Sequence, residues 1–189
     1  MFTYNIEDLR YIFDSVGQSV IVNDAKINVI VTNPPVDEYE QRYIHSLQKV
    51  SRGDIVTLEG EKYISITETV TKRHSKFKTL IRHCNVTIEK EIFVEVFVGE
   101  SDFGEPIYEL VYDHSEFIPA IVDNKSFSVN NSSAWRYPEN QMEVIVRDIE
   151  ENRTLFSVGE KFETVGKSWR VLNQDLSKSG LMILTCEKI

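Results

Sequence analysis

Apolar positions along this chain follow two different periods, and the change comes early. Ile6, Leu9, Ile12, Phe13 and Val16 recur at the three-and-four spacing of one helix face. Asn5 stands before them as an N-cap, Glu7 and Asp8 fill the first turn where the helix dipole favours acids, and Gly17 ends the segment. After Gly17 the period falls to two. Ser19 to Val22 is rich in β-branched residues, and Ile27, Val29 and Val31 alternate until Asn33-Pro34-Pro35 stops the run. A polar stretch, Val36 to Ser51, follows. Ile55 to Leu58 and Tyr63 to Ile66 then flank Glu59-Gly60-Glu61 as a hairpin, and Thr79 to Cys84 forms a further strand. Ile92 to Val98, Glu116 to Asp123, Met142 to Val146 and Leu181 to Cys186 are also extended. A second hairpin pairs Lys161 to Thr164 with Ser168 to Val171.

The strands echo one another. Arg52-Gly53-Asp54-Ile55 followed by Gly60-Glu61-Lys62-Tyr63 and closing on Leu80 to Cys84 resembles Val158-Gly159-Glu160-Lys161 followed by Gly166-Lys167-Ser168-Trp169 and closing on Met182 to Cys186. Ile21 to Asp24 and Val29 to Val31 likewise match Ile121 to Asn124 and Val144 to Val146. Many short strands with regular turns indicate small barrels or sandwiches. The expected fold is therefore mainly β: two tandem small β-barrel or sandwich units, 1–85 and 86–189, with one short N-terminal helix. Val31 to Gly53 spans 22 positions where Val146 to Gly159 spans 13, so the first unit carries an extra segment, read as a long loop over 33–47.

Charge sharpens the division. Residues 1–85 hold 11 Lys and Arg against 11 Asp and Glu, whereas residues 86–189 hold 10 against 19, so the whole excess of −9 belongs to the second half. Phosphate affinity depends on clustered Lys and Arg, so a nucleic-acid role is disfavoured there. No run approaches the roughly 18 apolar residues of a membrane span, and acids stand where a signal peptide needs a basic region, so secretion is not expected and synthesis in a reducing cytoplasm is. Cys84 and Cys186 are expected as free thiols, a single long-range disulfide being the alternative.

Candidate chemistry is sparse. Arg52-Gly53-Asp54 spells an adhesion tripeptide, but a Gly-Asp pair ahead of Ile55-Val56 is more simply a turn opening a strand. Lys72, Arg73, His74, Lys76, Lys78, Arg82 and His83 form the one basic cluster, suited to a protected strand edge, an acidic neighbouring subunit or DNA. The histidines, His45, His74, His83 and His114, lack metal-ligand spacing, neither cysteine lies in a CxxC pair, and no phosphate loop or nucleophile elbow is present. No enzyme, metal or cofactor is expected. Trp135 and Tyr137 lie in the polar stretch Asn130 to Asn140, as an interface anchor or as a plug over the second unit. Tyr63 and Trp169, equivalent in the two hairpins, are expected in the core.

The short helix, the polar segment, Arg-Gly-Asp-Ile-Val with its Gly-Glu-Lys-Tyr hairpin, and the basic strand ending His83-Cys84-Asn85 resemble the head-completion, or stopper, proteins of long-tailed phages. The ending Gly180 to Glu187 is similar to that of phage structural proteins of Gram-positive hosts. The resemblance covers residues 1–85 best. It implies a virion protein of the neck, a homo-oligomeric ring of twelve-fold symmetry below the portal and adaptor, with tail proteins and packaged double-stranded DNA as further neighbours and no membrane. It also implies a loop projecting into the channel, here with Asp37, Glu38, Tyr39, Glu40, Arg42 and Tyr43 as gating residues. Lys72, Arg73, Lys76, Lys78 and Arg82 would then meet a neighbouring subunit or DNA. Alternatives are a tail-terminator or other accessory neck or tail protein, and a single-stranded nucleic-acid-binding barrel.

Overall fold

The computed structural model describes residues 6–36, 39–72, 76–101, 103–124 and 140–189. Helix α1 (Ile6–Val16) leads into β1 (Gln18–Val22), β2 (Ala25–Thr32), β3 (Gln41–Ser46), β4 (Ile55–Leu58), β5 (Glu61–Ser65), β6 (Val70–Lys72) and β7 (Lys76–His83). The second half contains β8 (Val86–Glu100), β9 (Pro106–Asn124), β10 (Gln141–Arg147), α2 (Glu150–Leu155), β11 (Lys161–Thr164), β12 (Lys167–Asp175) and β13 (Leu181–Lys188). The mainly β fold expected from the alternation is present, as two six-stranded barrel-like sheets behind a short N-terminal helix. Asn5, the expected cap, lies outside the described residues.

The first barrel closes entirely through backbone pairing. β1 pairs with β2 and β4, β2 with β3, β3 with β7, β7 with β5, and β5 with β4, all antiparallel. β6 adds to β7 beyond the end of β5. The alternation then acts as the sequence predicts, sending Val20, Val29, Ile44, Val56 and Ile81 inward to full burial. Each such aliphatic side chain contributes about 1.5–3 kcal/mol by leaving water. Leu9 and Phe13 of α1 are also buried, and Gly17 N–H bonds back to the Phe13 carbonyl at 3.0 Å to end the helix.

The second barrel repeats most of this order, but where β1 pairs with β4 its counterpart β9 pairs with β8. β9, β10, β11, β12 and β13 stand in place of β1, β2, β4, β5 and β7. The equivalent hairpins share a register, Val56 opposite Tyr63 and Phe162 opposite Trp169, and both aromatic rings are buried. Their two-residue turns, Glu59-Gly60 and Val165-Gly166, have positive φ at both positions, as the twist of a tight hairpin requires. Where the first barrel inserts β3 between β2 and β7, the second pairs β10 directly with β13 and carries α2 instead.

This corrects the long loop expected over 33–47. The extra length of the first unit is mostly the strand β3, paired on both edges and burying Ile44 and Ser46. Only 33–40 connects β2 to β3. Arg42 and Tyr43 are consequently strand residues. The sequence QRYIHS holds a single aliphatic residue, and its two partners, not its own pattern, make it a strand. α2 was likewise missed because six residues are too short to show a helical period. It positions Phe156, which meets Phe162 edge-to-face at 5.4 Å in the middle of the second core.

The two barrels are joined by more than a linker. Gly53 and Gly180 both have φ near +90°, and a Cβ on either would fall within 1.8–2.0 Å of a backbone oxygen of the other unit. Ile64, Ile121 and Leu181 form a small buried cluster across the joint, with Cys84 and Ile145 packed against it. Asn85 holds Val122 in both directions, donating to its carbonyl at 2.9 Å and accepting its N–H at 2.8 Å. Arg82 forms a two-pronged pair with Asp123, one contact at 2.8 Å.

Candidate assembly surfaces

Two surfaces stand out, one on each barrel. On the first, the outward residues of β7 alternate with the buried Thr79 and Ile81, placing Lys76, Lys78, Leu80 and Arg82 on the outer face. The β3 strand beside it supplies Tyr43, whose ring lies 3.7 Å below the Lys78 ammonium. Tyr39 stacks on the Arg82 guanidinium at 3.8 Å. Two sets of residues that the sequence assigned to separate roles, the loop aromatics and the basic cluster, thus form one cation–aromatic strip. Val70, opposite Lys78 on β6, extends it with an exposed aliphatic group.

Glu40 organises the end of this strip. It accepts a hydrogen bond from the Tyr63 hydroxyl at 2.9 Å, pairs with Arg42 at 3.2 Å and lies 3.9 Å from His83, whose other ring nitrogen faces Glu61 at 3.2 Å. Burial, and then the bond to Glu40, push the Tyr63 phenol up to about 12, so it remains a neutral donor. Asp37, Glu38, Arg73, His74, Trp135 and Tyr137 lie outside the described residues. Arg82 belongs to the joint between barrels, so the basic run is not one open phosphate track.

Arg52-Gly53-Asp54 is fully engaged in structure. Arg52 donates to the Ser179 carbonyl at 2.8 Å and pairs with Glu68 at 2.9 Å, while Asp54 accepts from Asn23 and from the Ser51 N–H, each at 2.7 Å. The cysteines are both free thiols, pushed up to about 12 by burial. Among the described residues no group of three or more His, Cys, Asp and Glu is placed to hold a metal ion, and no helix is long and apolar enough to cross a membrane.

The second surface is one the sequence reading passed over. β8 pairs with β9 over its whole length, from Val86 opposite Ala120 to Glu100 opposite Pro106, and the outer halves of both extend beyond the barrel as a two-stranded ribbon. Phe93 faces Tyr112 and Phe97 faces Tyr108, both edge-to-face at about 6 Å, with Leu110 between them. Val94, Val96 and Val111 occupy the opposite face. All these side chains are 41–69% exposed. The ribbon is also acidic, since residues 91–117 contain eight Asp and Glu and no Lys or Arg. The signal was legible: Phe93, Val94, Val96, Phe97 and Val98 are apolar at both parities, as in a strand covered on both faces.

At the root of the ribbon, among the described residues, the second barrel is not closed by pairing: β11 pairs only with β12, and a groove of about 690 Å³ lies between β11 and β8. Lys90 bridges it, donating to the Lys161 carbonyl at 2.9 Å and approaching Glu160 at 3.8 Å. Burial holds the Lys90 amine below its usual range, against the opposing pull of Glu160.

The sequence description of the YomX C-terminal domain matches residues 26–187, a span that takes in both barrels. The chain belongs to that family. The family is phage-associated, in agreement with the coarse part of the resemblance drawn from the sequence. Among curated proteins and among solved structures, nothing matches significantly.

Proposed function

We propose that this family member is a non-catalytic structural protein of the phage neck, assembling as a ring between the portal and adaptor above and the tail below. The observation that carries the reading is the ribbon. A two-stranded hairpin is marginal in water by itself, and one with apolar side chains on both faces exposes surface that a solitary protein avoids. Such a ribbon suits a protein that works inside an assembly, and membership of a phage-associated family supports that reading. The acids of the 33–40 segment would repel a DNA backbone, which suits a channel constriction better than a binding surface.

The test is genetic and structural. A phage lacking this gene product is expected to accumulate separate filled heads and finished tails, and gold-labelled antibody should mark the head–tail junction of intact particles. Normal joined particles without the protein, or label confined to the tail tip, would overturn the neck position. Shortening 34–38 is expected to release packaged DNA from joined particles, and retention would remove the gating role. A tail-terminator is the second reading, favoured by the same ribbon if the label falls at the upper end of free tails. A nucleic-acid barrel has less support, because Arg82 is committed to Asp123 at the joint between the barrels.

A further inference from the structure

The ribbon and the strip are complementary in three respects at once, and they sit on opposite halves of the same chain. The ribbon offers Phe93, Phe97, Tyr108 and Tyr112 on one face with Glu95 among them. Half-exposed aromatic side chains leave roughly 100 Å² open each, so this face alone approaches the several hundred square ångströms that mark a contact site. The strip offers Lys76 and Lys78 beside Leu80, Tyr43 and Val70, and residues 70–82 contain five Lys and Arg with no acid. Among the described residues, the outer edge of β6 and both edges of the projecting ribbon have no strand partner.

Ribbon-to-ribbon stacking through the aromatic faces is disfavoured by charge, because it sets Glu91 and Glu95 of one copy against those of the other in a segment that holds no Lys or Arg. A ribbon against the strip sets acid against base and aromatic rings against ammonium groups. We propose that the aromatic face of the β8–β9 ribbon of one copy docks on the β6–β7 strip of a second copy of this chain, head to tail. The contact is heterologous, so every copy donates one ribbon and receives one, and repetition closes into a ring where the rotation permits. The proposal deepens the ring-forming reading and rests on it only in requiring that copies associate.

The experiment is a reciprocal charge exchange on the full chain, read as molar mass in solution by light scattering at low salt and high protein concentration. Wild-type chain is expected to associate, and to dissociate as salt rises, since screening weakens charge pairing. Lys76→Glu/Lys78→Glu and Glu91→Lys/Glu95→Lys should each weaken association about tenfold or more, because like charges then face each other. Mixing the two variants should restore it, since each ribbon now meets a strip of opposite sign. Phe97→Ser/Tyr108→Ser, which leaves charge unchanged, should also dissociate the copies. Circular dichroism of each variant confirms that the barrels remain folded.

A wild-type chain that stays monomeric under these conditions overturns the docking proposal, while the neck position is judged separately by the particle experiments. Association unaffected by either charge variant, or variants that fail to complement on mixing, also overturns it and leaves a ring built through other surfaces.

Discussion

The two barrels share most of a strand order but close in different ways. In the first, every neighbour is joined by backbone hydrogen bonds, and the inserted β3 bridges β2 to β7. In the second, β8 lies beside β11 without pairing, and Lys90 spans the seam to the Lys161 carbonyl. The strand freed from closing the barrel continues with β9 as the ribbon. The comparison teaches that closure by pairing keeps every strand of the ring within the barrel wall, whereas closure by side chains lets β8 run on with β9 and project from the body. The first barrel is the scaffold and the second carries the reaching element.

The joint between the barrels gives the sharpest way to break this arrangement. Gly53→Ala or Gly180→Ala places a methyl group against backbone of the other unit at positive φ, and should lower stability by about 3 kcal/mol or more in urea unfolding. Gly60→Ala, with positive φ but open space around it, should lose only about 1 kcal/mol. Equal losses would mean that the glycine contact does not hold the barrels together.

Arg82→Ala comes next, with an expected loss of about 2 kcal/mol, because it strands the half-buried Asp123 carboxylate. Arg82→Ala/Asp123→Ala should be less harmful than the sum of the two single changes, which a double-mutant cycle measures.

Thiol reactivity separates the regions with a smaller signal. Both cysteines should resist a disulfide reagent at pH 8, since burial holds each near 12. Cys84 packs at the joint and Cys186 in the second core, so Gly180→Ala should expose Cys84 first. Simultaneous labelling would show that the barrels open as one unit.

The seam gives the smallest effect. Lys90→Met is expected to be neutral or to stabilise by up to about 1 kcal/mol, since it removes a partly buried charge. Burial lowers the folded-state value of Lys90 below that of the unfolded chain, so the wild type gains stability as pH rises through the folded value toward 10.5. Lys90→Met should lose that alkaline gain, which unfolding midpoints across the range will detect.

By itself the sequence determined the class of fold, the helix, both tight hairpins and the inward placement of Tyr63 and Trp169. These follow from local periods and turn chemistry, which act over a few residues. Tertiary structure decided the rest. β3 is a strand only because β2 and β7 offer it two edges, and Arg82 is a clamp only because Asp123 comes from the other barrel. The ribbon shows the same limit from the opposite side. Its apolar residues read like those of an ordinary buried strand, and only the full set of strand neighbours reveals that nothing in the described chain covers them. Alternation records which residues share a face; what lies against that face is a property of the whole molecule.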